Sequence, residues 1–162
     1  MPGKNIDSGR VYGWVEIMVI DKDGRVKHHV KPEAKNIMTN VGLAAMIRLI
    51  FTAFTETRFS YLAIGTGTTP ETESDTSLER EVCRKTATQT QITTNIEGDT
   101  CLNEATFSSA DGLAGSMNIS EVGLFNASSG GILLARKTFE PTTVNWDAGD
   151  RLTARYYIQI TR

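Results

Sequence analysis

The sequence contains few of the residues from which catalytic and metal sites are built. Only two of its 162 residues are histidines, His28 and His29. Adjacent residues of a strand point to opposite faces, so these two cannot readily share a metal ion or act together as acid and base. Neither Gly-x-Ser-x-Gly nor His-Glu-x-x-His occurs in the chain. We therefore expect no catalytic residues, no cofactor and no metal site. A hydrolase is the alternative, but no sequence motif supports it.

An excess of charge and a long apolar run are also missing. The chain has 17 Lys and Arg against 19 Asp and Glu, a net charge of −2, whereas nucleic-acid and membrane-surface partners require a basic face. The longest apolar-rich stretch, residues 41–54, is interrupted by Arg48 and is too short to span a bilayer. Residues 1–7 lack the apolar core of a secretory signal. We expect synthesis in a cytoplasm, with no nucleic-acid and no membrane partner.

Cysteine is scarce as well. The two cysteines, Cys83 and Cys101, fall in segments that read as consecutive strands turning at residues 97–99. In that register they lie far apart, whereas a disulfide needs Cα atoms within about 7 Å. With no Cys-x-x-Cys spacing, the sequence predicts reduced thiols.

What the chain has in quantity is alternating and β-branched segments, separated by turn signals at intervals of roughly ten residues. The predicted strands are 11–20, 25–31, 59–64, 82–96, 100–108, 117–125, 132–139 and 152–160. This pattern predicts a mainly β protein, a single domain over residues 1–162, built as an antiparallel β-sandwich or a partly closed barrel of about eight strands. An N-terminal β-hairpin is expected at about residues 11–31, with its second strand half exposed.

The most apolar segment, residues 120–137, predicts a hairpin at the centre of a sheet, with strands buried on more than one face. Its turn is Ser-Ser-Gly-Gly, in which glycine supplies the positive φ of a tight turn. Gly123 interrupts the first strand, and we expect a β-bulge there. Pro141 is expected to end the second strand.

One α-helix is predicted near residues 40–54, capped by Thr39 or Asn40. Its apolar stripe is formed by Leu43, Met46, Ile47, Ile50 and Phe54. We favour the interpretation in which this stripe packs on the protein's own core. The alternative, insertion of the helix into a partner, requires the stripe to be exposed.

The polar loop 65–77 suggests two ligands, and both are weak candidates. Gly65-Thr66-Gly67 lacks the Gly-Lys-Ser/Thr ending of a phosphate-binding loop. The acidic side chains of Glu71, Glu73 and Asp75 could hold Ca²⁺, although the EF-hand spacing is absent. The sequence therefore favours a solvated loop, followed by one helical turn with Thr76 and Glu79 as a capping box.

Two features suggest contact with other molecules. The long predicted strand is polar on both faces, with Thr86, Thr88 and Thr90 on one of them. Such a strand projects as an arm or pairs with a neighbouring subunit. Trp146 lies in a loop between Pro141 and Gly149, which makes it the best candidate for an exposed aromatic that stacks on a glycan.

Three segments taken together resemble a known group of proteins. They are residues 36–43, residues 62–85 with Ile-Gly-Thr-Gly-Thr-Thr-Pro followed by Asp-Thr-Ser-Leu-Glu-Arg-Glu, and residues 121–136 with Glu-Val-Gly-Leu-Phe-Asn. In this order they resemble small virion proteins of tailed bacteriophages, of the tail-fibre-like or head-associated kind. The resemblance covers roughly residues 36–161.

The resemblance implies a β-rich structural protein without catalysis, usually oligomeric, and it carries no binding residues to transfer. The leading hypothesis is a virion protein made in the host bacterial cytoplasm, which decorates or cements the capsid or sits at the head–tail vertex and binds major capsid or tail proteins. The alternative is a tail-fibre or receptor-binding module that recognises host glycan. The candidate interface residues for these hypotheses are Thr86, Thr88, Thr90 and Trp146.

Overall fold

Two five-stranded antiparallel sheets form the protein. The computed structural model describes residues 9–31, 36–52 and 55–161. Its strands are β1 (Arg10–Ile20), β2 (Val26–Val30), β3 (Ile37–Met38), β4 (Tyr61–Gly65), β5 (Glu81–Thr86), β6 (Thr88–Ile92), β7 (Thr100–Phe107), β8 (Ser116–Phe125), β9 (Leu133–Asn145) and β10 (Arg151–Thr161). The α-helix α1 (Asn40–Ile47) continues as a π-helical turn, Arg48–Thr52, and Ser109–Asp111 forms a 3₁₀ turn.

The first sheet has the strand order β2-β1-β10-β7-β6, and the second has the order β3-β9-β8-β4-β5. The predicted β-sandwich is confirmed, and the two sheets do not close into a barrel. The described part has ten strands rather than eight, partly because the predicted strand 82–96 is two strands. β5 pairs with β4 in the second sheet and β6 pairs with β7 in the first. Buried Ala87 lies at the crossing, where its N–H donates to the Ser60 carbonyl at 2.8 Å.

The core lies between the sheets, and alternation along the strands places it there. In β10, Leu152, Ala154 and Tyr156 are buried. The neighbouring Tyr157 faces outward, where its ring stacks on that of Trp14 across the β1–β10 pair with centroids 5.1 Å apart. One tyrosine of the adjacent pair is therefore inside and the other outside, because successive side chains of a strand point to opposite faces.

The hairpin of β8 and β9 is central, and residues 119–125 of β8 are buried on both faces. Gly130 and Gly131 take positive φ in its turn, as predicted. The bulge expected at Gly123 is wrong, because that residue pairs regularly with Ala63 and Arg136. The glycine instead makes room for neighbours, since a Cβ there would lie 2.8 Å from Leu78 Cδ2 and 2.9 Å from Leu133 Cδ1.

Pro141 does not end the second strand of this hairpin, which is also a correction. β9 runs through Pro141 to Asn145. The β8–β9 register shifts between Ile119, opposite Thr142, and Glu121, opposite Thr138. The proline therefore lies at an irregularity where the ladder does not require its missing N–H, which is where strands tolerate proline.

The helix is fixed to the second sheet at its N-terminus. Thr39 caps α1 by accepting a hydrogen bond from Gly42 N, and its own N–H donates to the Leu134 carbonyl at 2.9 Å. Gly42 allows the helix to approach closely, because a Cβ there would lie 2.5 Å from Leu134 Cα. Residues 53 and 54 of the predicted helix lie outside the described residues. None of the helices described is long and apolar enough to cross a membrane.

Candidate functional site

The predicted interface threonines lie at the edge of the sandwich. Thr86 is the last residue of β5, and Thr88 and Thr90 belong to β6; all three are exposed. Gln89 lies between the last two and points the other way, since its amide donates to Asn103 Oδ1 at 2.7 Å and to the Phe59 carbonyl at 2.8 Å. The outward face of β6 therefore consists of hydroxyl and methyl groups without charge.

Trp146, in contrast, is buried. Its side chain is 1% exposed and belongs to the core between the sheets. The chain after β9 folds tightly over the ring: Ala148 N donates to the Asn145 carbonyl and Gly149 N to the Trp146 carbonyl. The prediction of an exposed stacking platform is therefore wrong. Residues 146–149 form a tight turn, and this turn covers the Trp146 ring instead of exposing it to solvent.

β6 differs from the other outermost strands of the two sheets. β2, more exposed than predicted, carries Lys27, His28 and His29 and meets β1 at a register shift. β5 carries Arg84 and Lys85 and also has a register shift, and β3 is two residues long. Charges, irregularities and shortness are the devices by which proteins keep edge strands from pairing with other chains. β6 has five residues, no charge, no proline and a regular ladder with β7.

Next to β6 lies an apolar helical face. The helix turns Gly42 and Ala45 inward, whereas Ile47, Ile50 and Phe51 are 55%, 57% and 73% exposed. Val41 and Leu43 are exposed as well. The favoured interpretation, a stripe packed on the protein's own core, is therefore wrong for most of the stripe, and Met46 alone of its described members packs against the core. The alternative, insertion of the helix into a partner, requires an exposed apolar stripe, and that exposure is present.

A cavity of about 160 Å³ joins the strand edge to the helical face. Met46, Leu49 and Ile50 line it from the helix, Phe59 and Ile158 from the sandwich, and Gln89 from β6. Arg48 is the only charged residue of the helix, and Glu56 neutralises it through a 2.6 Å contact. We call the β6 strand together with the exposed apolar side chains of Ile47, Ile50 and Phe51 the β6 edge surface, and none of these residues is charged.

The Gly-x-Gly loop binds a carboxylate of its own chain. Glu121 is fully buried and accepts hydrogen bonds from the backbone N–H groups of Gly67 at 2.9 Å, Glu79 at 3.0 Å and Arg80 at 2.7 Å. A Cβ at either Gly65 or Gly67 would lie 2.5 Å from Glu121 Oε1. The glycines therefore make room for this carboxylate. It occupies the position in which a phosphate-binding loop would hold its phosphate.

Arg136 completes this buried arrangement. Its side chain is 3% exposed, and Nε donates to Glu121 Oε2 and Nη1 to Asp75 Oδ2, each at 2.9 Å. Burial lowers the pKa of Arg136, but Asp75 and Glu121 outweigh that effect and hold it above its ordinary value. The pair between neighbouring strands β8 and β9 thus fixes the polar loop to the sheet.

Glu71 of that loop and Glu79 just after it also have partners within the chain. Glu71 accepts hydrogen bonds from Lys137 and, at 3.0 Å, from Thr138 N. Glu79 accepts from the backbone N–H groups of Thr68 and Thr69, and no helical turn forms at residues 76–80, so the predicted capping box is wrong. Within the described residues no three His, Cys, Asp or Glu side chains are placed to hold a metal ion.

The remaining reactive side chains are dispersed. Cys83 and Cys101 are free, and burial raises the pKa of both thiols. His29 Nε2 lies 2.7 Å from Glu16 Oε1 on the exposed side of the first sheet. Neither cysteine is within hydrogen-bonding contact of a histidine among the described residues, so no cysteine–histidine pair is formed there.

No protein-family model, no curated protein and no solved structure matches this chain. Its function therefore has to be inferred from its own surfaces. Among the surfaces of the described residues, the β6 edge surface combines a five-residue outermost strand that has one partner strand only with the absence of charged residues.

The loop anchored by Glu71 and Asp75 is expected to loosen in acid. Burial raises the pKa of each carboxyl, but hydrogen bonds from Lys137 and Thr138 to Glu71, and from Thr72 and Arg136 to Asp75, outweigh it and hold both pKa values below normal. The stabilisation is therefore fully present above the unfolded pKa values of about 4 and is lost as the pH falls through the lower folded values. Amide exchange of residues 66–80 at a series of pH values measures this. Glu71→Gln should reduce the pH dependence, and an equal dependence in that variant would contradict the assignment.

Proposed function

We propose that the protein is a non-enzymatic structural protein of a bacteriophage virion. It decorates or cements the capsid shell, or sits at the head–tail vertex, and it acts by binding neighbouring virion proteins. The observation that carries this proposal is the β6 edge surface, in which a strand whose outer edge has no partner among the described residues is accompanied by exposed apolar side chains of the helix. Exposed apolar patches and open strand edges are typical of sites where proteins bind proteins.

The three segments with the phage-protein resemblance support the proposal because they form one contiguous unit. Thr39, in the first, donates to the Leu134 carbonyl in the third. Asn40 N donates to the Glu73 carbonyl in the second at 2.8 Å, and Glu121 in the third binds the second through Gly67 N. A resemblance spread over contacting segments is better explained by a common scaffold than by three chance similarities.

Adhesion on a symmetric particle needs no strong single contact. Strand addition supplies main-chain hydrogen bonds, and the apolar face supplies burial. When many copies bind a shell whose own subunits repeat, modest individual contacts give a firmly held layer. No reaction is assigned, since the described residues offer no arrangement that proposes one.

The glycan-binding alternative loses its motivating residue, because Trp146 is buried. Of the aromatic side chains that remain partly exposed on the first sheet, Trp14 and Tyr157 stack on each other as a cross-strand pair. Each ring thus has one face already covered. We propose no glycan site.

Mass spectrometry of gradient-purified particles tests the proposed function. We expect this chain in the particles in multiple copies, at a constant ratio to the major capsid protein through successive gradients. A phage in which its gene is deleted, with a complemented strain as the control, should give particles that lose DNA at lower temperature. Absence of the chain from purified particles would overturn the proposal.

A further inference from the structure

We infer that the β6 edge surface binds a second copy of the same chain, by antiparallel pairing of β6 with β6 across a two-fold axis. The inference deepens the proposed function and rests on it only for its biological setting, since the contact itself is a property of the isolated protein. It narrows the proposed function, because the neighbouring virion protein that occupies the free edge is then a second copy of this chain, in a stated register.

Charge is the first reason for choosing a second copy. A two-fold axis brings each residue of an interface close to its own equivalents, so a charged edge repels itself. β2 has Lys27, and β5 has Arg84 and Lys85. The stretch of β9 beyond its pairing with β3 carries Lys137, Glu140 and Pro141. β6 has the sequence Thr-Gln-Thr-Gln-Ile and has no charge to repel a copy of itself.

The symmetry of the β6 sequence is the second reason. Full overlap of a five-residue strand with its own copy places Thr90 on the two-fold axis, opposite Thr90 of the other copy. Gln89 then lies opposite Gln91, and Thr88 opposite Ile92. Threonine pairs directly across antiparallel strands are favourable, with Cβ atoms about 4.5–5.5 Å apart. The pairing would join two five-stranded sheets into one of ten strands.

The neighbouring helix supplies area that one short strand does not. Ile50 lines the same cavity as Gln89, which places this residue of the apolar helical face next to β6. Taking about 200 Å² for a fully exposed large side chain, Ile47, Ile50 and Phe51 offer roughly 350 Å² per copy at their observed exposure. Together with the paired strands, a two-fold contact buries on the order of 1,000 Å², the size at which a specific interface becomes plausible.

A charge-swap experiment on the purified full chain tests the inference. Thr90 is exposed, so Thr90→Lys and Thr90→Glu should fold normally by circular dichroism. Sedimentation velocity from micromolar to millimolar concentration should show a monomer–dimer equilibrium for the unaltered chain. Each variant alone places like charges face to face and should weaken dimerisation by about tenfold or more, whereas an equimolar mixture should restore a Lys–Glu heterodimer.

A matched control is Thr143→Lys, an exposed threonine of β9 in the other sheet, which should leave the dimer unchanged. Phe51→Ser should weaken the dimer without altering the fold. Three outcomes overturn the inference: a chain that stays monomeric at millimolar concentration, a dimer indifferent to both Thr90 charges, and Thr90 variants that are not rescued by mixing. None of them bears on whether the chain is present in virions, so the two proposals fail separately.

Discussion

Replacing Arg136 with methionine is expected to lower the free energy of unfolding by about 3–5 kcal/mol, the usual cost of removing one partner of a buried ion pair. The cost arises because Glu121, which is fully buried, loses the guanidinium 2.9 Å away. Asp75 and the Thr69 carbonyl lose their donors at the same time. Urea denaturation followed by circular dichroism measures the change.

The matched control is Arg25→Met. Arg25 is exposed and lies 3.8 Å from Asp23, so its removal should change the unfolding free energy by less than about 1 kcal/mol. Arg136→Lys keeps the charge but lacks the planar fork that reaches several acceptors, and it should fall between the two. An Arg136→Met variant as stable as the control would show that the buried pair does not fix the loop.

Replacing Trp146 with alanine is expected to cost about 3–5 kcal/mol, because it leaves a large cavity between the sheets. Trp146→Phe should cost less than half as much. Phenylalanine fills part of the space, and the change also removes the indole Nε1–H, which has no hydrogen-bond partner among the described residues and is therefore costly to bury.

The same denaturation experiment measures both Trp146 variants. A second observable is fluorescence in a Trp14→Phe background, which leaves Trp146 as the only tryptophan. We expect a blue-shifted emission that acrylamide quenches slowly. Rapid quenching, or an alanine variant as stable as the phenylalanine variant, would mean that the ring is not buried.

The strands with one buried face were predictable because the alternation of apolar and polar residues along a strand is visible in the sequence itself. β10 alternates apolar and polar residues, and Leu152, Ala154 and Tyr156 are buried as this period-two pattern predicts, whereas near its end Gln159 is buried and Ile160 is exposed. The glycines of the β8–β9 turn were predictable for the same reason, since positive φ selects them. Sequence patterns therefore suffice for the sandwich and for its central hairpin.

The division of residues 82–96 into two strands could not be predicted, because each half has the composition of an edge strand. The change of sheet is marked only by Ala87, whose small side chain is buried where its neighbours are exposed. Which sheet each half joins depends on β4 and β7, which are distant in sequence. A Thr-rich run interrupted by one small apolar residue is the signal that was available.

The buried Glu121–Arg136 pair was missed for a different reason. Glu121 lies in the middle of β8, and charged residues are seldom fully buried, so its sequence position gives no sign of a buried pair. Two facts make Glu121 an exception: three backbone N–H groups point at it, and Gly65 and Gly67 leave the space for it. The Gly-x-Gly pattern suggests a bound phosphate, whereas in the structure the two glycines accommodate the chain's own Glu121 carboxylate.

The helix shows how a stripe can mislead. Leu43, Ile47 and Ile50 have the spacing of a core-facing helix, yet the face that contacts the sandwich is Gly42 and Ala45. Close approach to Leu134 requires small residues, so the small side chains face inward and the large apolar ones face outward. An apolar stripe beside a line of small residues thus has two faces that could be buried, and the sequence alone does not decide between them.

A cryo-EM reconstruction of the purified phage particle tests the central claim most directly, namely that this protein is a virion component assembled through its β6 edge surface. We expect density that fits the sandwich and repeats with the particle symmetry. In it, β6 should pair with β6 of a neighbouring copy, and that copy should cover Ile50 and Phe51. Density for the sandwich with β6 and the helical face open to solvent in every copy, or no density for it at all, would contradict the account.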